Sequence, residues 1–125
     1  MGQKANPIGL RLGISRTWNS KWFAEKDYAS QLKQDLDIQK FVKARLKHAA
    51  ISKIEVERTA KKTKVNIFSA RPGIIIGRKG DEVERLKQEL SKHTPHDVVI
   101  NIKEIKRPEI DATLIAENIA SQLER

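Results

Sequence analysis

The chain has 125 residues, enough for one domain with one core, and no apolar run approaches the roughly 18 residues of a membrane-crossing helix. It has no cysteine, which excludes disulfides, thiolate metal sites and cysteine nucleophiles. Hydrophobic residues at 38% indicate a folded chain, and the net charge of +9 at pH 7 points to a polyanionic partner, most often nucleic acid. The expectation is a cytoplasmic protein with no membrane partner and no cofactor.

The positive charge is concentrated. Residues 1–22 carry Lys4, Arg11, Arg16 and Lys21 and no acid. Residues 40–64 hold nine Lys and Arg against Glu55 and Glu57, and residues 71–80 hold Arg71, Arg78 and Lys79 with no acid. The rest of the chain is net acidic, so the cations read as a footprint, not an even coat.

In chain order, residues 1–22 read as a basic arm. Gly2, Pro7, Gly9 and Gly13 argue against a helix there, and the alternation of Ile8, Leu10, Leu12 and Ile14 leaves an extended arm or an edge strand. The glycines favour the arm. From Phe23 to Ala49 the pattern is helical: Ile38, Phe41, Val42, Leu46 and Ala49 share one face and Lys40, Lys43 and Lys47 another. Asp35 and Asp37 mark a break or a re-cap within it. Two alternating strands follow, built on Ile54 and Val56 and on Val65 and Ile67, joined by a short polar link that suits an antiparallel hairpin. Ile74, Ile75 and Ile76 after Pro72 suit one buried turn. Residues 81–92 read as a helix with Val83, Leu86 and Leu90 on its stripe, and Val98, Ile100 and Ile102 as a third strand. After Pro108, residues 109–125 form a last helix with an apolar face of Ala112, Ile115, Ala116, Ile119, Ala120 and Leu123. The domain thus spans residues 23–125: an α+β fold with a three-stranded sheet and helices packed on one face.

The segment with chemistry in it is Ile75-Ile76-Gly77-Arg78-Lys79-Gly80-Asp81-Glu82-Val83. Between two helices, Gly77 and Gly80 let a phosphodiester backbone approach the main chain, and the amides opening the next helix favour an anion. Arg78 and Lys79 add two cations, and Asp81 and Glu82 are expected to cap that helix. A bare G-x-x-G is weak evidence. With Ile-Ile before it, Val after it and this order of elements, it resembles the loop of a type II KH domain, whose G-x-x-G clamps about four nucleotides of single strand.

The arm narrows the resemblance. Met1-Gly2-Gln3-Lys4, Asn6-Pro7-Ile8-Gly9-Leu10-Arg11-Leu12-Gly13-Ile14 and Thr17-Trp18-Asn19-Ser20-Lys21-Trp22-Phe23 are similar to the start of the bacterial small-subunit ribosomal protein S-three family. The likeness continues through Ser69-Ala70-Arg71-Pro72-Gly73 to Arg107-Pro108-Glu109. It implies a ribosomal component in the head of the small subunit, bound to ribosomal RNA, near the messenger RNA path and beside proteins S-ten and S-fourteen. The family carries a further domain after this module, which is expected to be absent here. The unwinding activity credited to that domain therefore transfers to no residue of this chain.

The RNA-binding set expected on these grounds is Gly77, Arg78, Lys79 and Gly80, with Arg71, Lys4, Arg11, Arg16, Trp18, Lys21, Lys61 and Lys62. Trp18 either stacks on a base or pins the arm, whereas Trp22, beside Phe23, suits packing. His93 and His96 have no third ligand and read as surface residues. No phosphate loop of the G-x-x-x-x-G-K-[ST] type and no catalytic grouping stands out, so the chain is not expected to be an enzyme. The alternative binding reading is a free-standing KH protein in RNA processing or ribosome maturation.

Overall fold

A computed structural model describes residues 2–59, 61–77, 80–92 and 97–125. Its elements are α1 (Pro7–Arg11), β1 (Ser20–Lys21), α2 (Tyr28–Arg45), a 3-10 turn (Lys47–Ala49), β2 (Ile51–Arg58) and β3 (Lys62–Ser69), then α3 (Pro72–Ile76), α4 (Asp81–Ser91), β4 (Asp97–Glu104), a second 3-10 turn (Pro108–Ile110) and α5 (Ala112–Glu124).

Alternation of apolar and polar residues in β2, β3 and β4 builds one sheet with a dry, apolar face and a polar face. β2 and β3 form the expected antiparallel hairpin, with Ile54 opposite Ile67 and Val56 opposite Val65. β4 returns parallel to β3, with Val98 beside Thr63 and Ile100 beside Val65, so α3 and α4 form the crossover that a parallel pair requires. Against the dry face lie Ile38, Val42, Leu46 and Ala49 from the first helical segment, Ile75 from α3 and Leu86 and Leu90 from α4. Burial of each such side chain contributes about 1.5–3 kcal/mol before entropy is counted. The α+β, KH-like architecture expected from the sequence is the one observed.

Several local expectations are corrected. The sheet has four strands, in the order β1-β2-β3-β4, because Ser20 and Lys21 pair in parallel with Val56 and Glu57. The arm therefore ends as an edge strand. The glycines do not prevent a helix either: Pro7 occupies the first turn, where its missing N–H costs nothing, and Asn6 Oδ1 accepts from the amides of Ile8 and Gly9 at 3.0 Å. α2 runs unbroken through Asp35 and Asp37 and starts five residues later than expected, at Tyr28. The N-cap of α4 is Gly80 with no side-chain cap bond, so Asp81 and Glu82 lie inside the first turn and do not cap it. α5 begins at Ala112, capped by Asp111, whose Oδ1 accepts from the amides of Thr113 and Leu114. Its apolar face is not core: Ile115 is 42%, Ile119 53% and Leu123 81% exposed, and only Leu114 is buried.

Candidate nucleic-acid interface

The turn after α3 is held from below by a polar hub. Ser69, fully buried at the end of β3, donates through Oγ to the Ala49 carbonyl at 2.5 Å and accepts from the Arg71 amide at 3.0 Å. The Ala70 amide donates to the Ala50 carbonyl at 3.1 Å, with Ala50 itself in the left-handed region at φ 54. These bonds tie the end of the first helical segment to the start of α3. Pro72 then fixes the first turn of α3, and Ile75 anchors it while Ile74 and Ile76 stay outside.

The two glycines of the turn do different work. Gly77 has φ 68, and a Cβ there would lie 2.6 Å from Glu82 Cγ, so it is required by the packing of the turn against α4. Gly80 also has positive φ, at 78, but a Cβ there would meet nothing within 4 Å among the described residues. No described residue blocks its side, as close approach by a ligand requires. Beside the turn is a depression of about 450 Å³ lined by His48, Ile74, Gly77, Asp81, Glu82 and Arg85. Asp81, Glu82 and Glu84 complement the helix dipole from within the first turn, so positive charge for a phosphate has to come from elsewhere. The sequence supplies it in Arg78 and Lys79, which fall outside the described residues, as do His93 and His96.

The remaining expected contacts are spread out. Arg71 is exposed at the start of α3, near the turn. Lys61 and Lys62 are exposed at the hairpin, which the register places beside Asp97, at the opposite end of β3 from Ser69. Seven residue steps of strand separate those ends, about 23 Å, so the hairpin and the turn are separate patches. Lys4, Arg11 and Arg16 are exposed along the arm. Lys21 lies over the sheet, 3.5 Å from Glu55 and 3.9 Å from Glu57. Trp18 is 66% exposed. Trp22 packs as expected, 5.3 Å from the Tyr28 ring, but Phe23 does not join it and is 85% exposed.

A group that the sequence reading missed anchors the arm. Asp35, fully buried on α2, accepts from Arg58 Nε at 2.9 Å and from its terminal nitrogen at 2.6 Å, and Trp22 Nε1 donates to its other oxygen. The signal was available: Asp35 precedes Ile38 by three and lies on the same helical stripe, where a carboxylate needs a buried partner. No grouping of His, Asp and Glu suited to a metal ion occurs among the described residues.

Comparison with known proteins matches residues 37–110 to the KH domain model. The chain is 62% identical over all 125 residues to the small ribosomal subunit protein uS3 of Geotalea uraniireducens, covering 60% of that protein. It is likewise 62% identical to the protein of that name from Citrifermentans bemidjiense, covering 59% of it, and 59% identical to that of Syntrophus aciditrophicus, covering 58%. The chain thus spans about 60% of the length of the curated relatives it matches.

Proposed function

Because this chain belongs to the KH domain family, we propose that it binds RNA as a structural, non-enzymatic component of the small ribosomal subunit. The observation that carries this reading is the identity of 62% with uS3 across the whole chain, arm included. In this reading the protein sits in the subunit head, contacts ribosomal RNA, lies near the messenger RNA path and adjoins proteins S-ten and S-fourteen. The cytoplasmic ribosome is its location. The Gly77–Gly80 turn clamps a single-stranded backbone: Gly80 leaves the approach open, the α4 amides face the phosphates, and Arg78 and Lys79 supply the charge that the acidic first turn of α4 opposes. Arg71 extends that patch, and the arm bases Lys4, Arg11 and Arg16, with Trp18, make a second one.

The test is co-sedimentation of the tagged chain with small subunits reconstituted without the endogenous protein. Stoichiometric comigration that survives moderate salt is expected. A chain that binds short RNA but stays at the top of the gradient would replace this reading with that of a free-standing KH protein.

A further inference from the structure

The polar face of the sheet, whose Glu55 and Asn66 are buried, carries an arrangement separate from the turn. Register across the strands sets Lys53, Phe68 and Lys103 in one row, Glu55, Asn66 and Asn101 in the next, and Lys21, Glu57, Lys64 and Val99 in a third. These positions alternate with Ile54, Val56, Val65 and Ile67, which face the core. In the first row the half-buried Phe68 ring lies between two cations, with Lys53 Nζ at 4.7 Å and Lys103 Nζ at 5.4 Å from its centre.

The carboxylates of these rows are already engaged. Glu55 is held by Lys53 at 3.0 Å and Lys21 at 3.5 Å, and Glu57 accepts from Asn66 Nδ2 at 3.3 Å. Asn101 Nδ2 in turn donates to Asn66 Oδ1 at 3.3 Å. Lys64 and Lys103 form no ion pair among the described residues, so the charge these rows present outward is positive. A sheet face with an aromatic ring on an inner strand and lysines on both flanking strands, about 10 Å apart, suits an unpaired base with a phosphate on either side.

We propose that Phe68, with Lys53 and Lys103, is a second single-stranded RNA contact, in which a base stacks on the ring while the two ammonium groups leave it for the flanking phosphates. The proposal rests on the RNA-binding reading above but not on the turn, because the turn lies on the helix side of the sheet.

The test is titration of a short single-stranded RNA with the intact chain across a range of salt. Phe68→Leu removes the ring and keeps an apolar side chain of similar size. It should weaken binding about tenfold with the salt slope unchanged, because stacking releases no counterions. Phe68→Tyr should bind like the parent. Lys103→Gln, at an exposed position, should reduce the slope by about 0.7. Parental affinity in Phe68→Leu, at a parental melting temperature, would overturn the proposal. If Phe68→Leu does not fold, an unchanged slope in Lys103→Gln would overturn it. Loss of co-sedimentation by Phe68→Leu with RNA affinity intact would assign the face to a protein neighbour, again against the proposal. Arg78→Asp/Lys79→Asp, measured in parallel, separates the readings: weakening there with none at Phe68 removes only the sheet contact, whereas no RNA binding by the parent removes both.

Discussion

At Asp35 a fully buried carboxylate joins three elements: the arm through Trp22, α2, and the end of β2 through Arg58. Removing one partner of a buried ion pair leaves the other uncompensated, so Asp35→Ala should destabilise the chain by about 3–5 kcal/mol in urea unfolding. A loss below about 1 kcal/mol would show that water reaches Arg58. The buried Thr63 hydroxyl, by contrast, has no hydrogen-bond partner among the described residues. Thr63→Val keeps the shape and deletes an unsatisfied group, so it should leave stability unchanged or raise it. Gly77 shows a limit of sequence reading. Its presence in G-x-x-G suggested ligand approach, whereas its position over Glu82 is internal packing that no local pattern reveals. Gly77→Ala should therefore lower stability by more than Gly80→Ala, whose cost is the backbone term alone, roughly 1–2 kcal/mol. Equal melting temperatures for the two variants would contradict this.

Among the elements, those with long periodic patterns were legible: α4 and the hairpin appear close to their expected bounds, and α2 lies inside its expected span, shorter at both ends. β1 was not, because two residues give no alternation, and its existence depends on Val56 and Glu57 far along the chain. α1 was missed for a different reason. Pro7 and Gly9 read as helix breakers, but the Asn6 cap satisfies two amides and outweighs them. In α5 the helix was legible but its burial was not. Periodicity reports a stripe, not what covers it, and Ile115, Ile119 and Leu123 lie at the surface. For the arm, pairing of Ser20 and Lys21 and the Trp22–Asp35 bond place its anchor at residues 20–22. Limited trypsin digestion should then cut first after Lys4, Arg11 or Arg16 and leave a stable product that begins near Ser20. First cuts within residues 28–58 would contradict that anchor.

For the whole molecule, the order of helices and strands and the basic stretches are readable in the amino-acid sequence, and they lead to the turn. What the sequence does not show is how far apart the basic stretches fall. The hairpin lysines and the Gly77–Gly80 turn lie at opposite ends of β3, so their charges do not sum into one site. The first turn of α4 is itself acidic, so in the proposed clamp the grip on a phosphate falls to Arg78 and Lys79. The most direct measurement is the salt dependence of binding to a short single-stranded RNA for Arg78→Asp/Lys79→Asp, which keeps both glycines. With two phosphates no longer neutralised by these cations, the slope of log K against log salt should flatten by about 1.4 and low-salt affinity should fall, at an unchanged melting temperature. A folded variant with the parental slope and affinity would show that the turn does not clamp RNA in this chain.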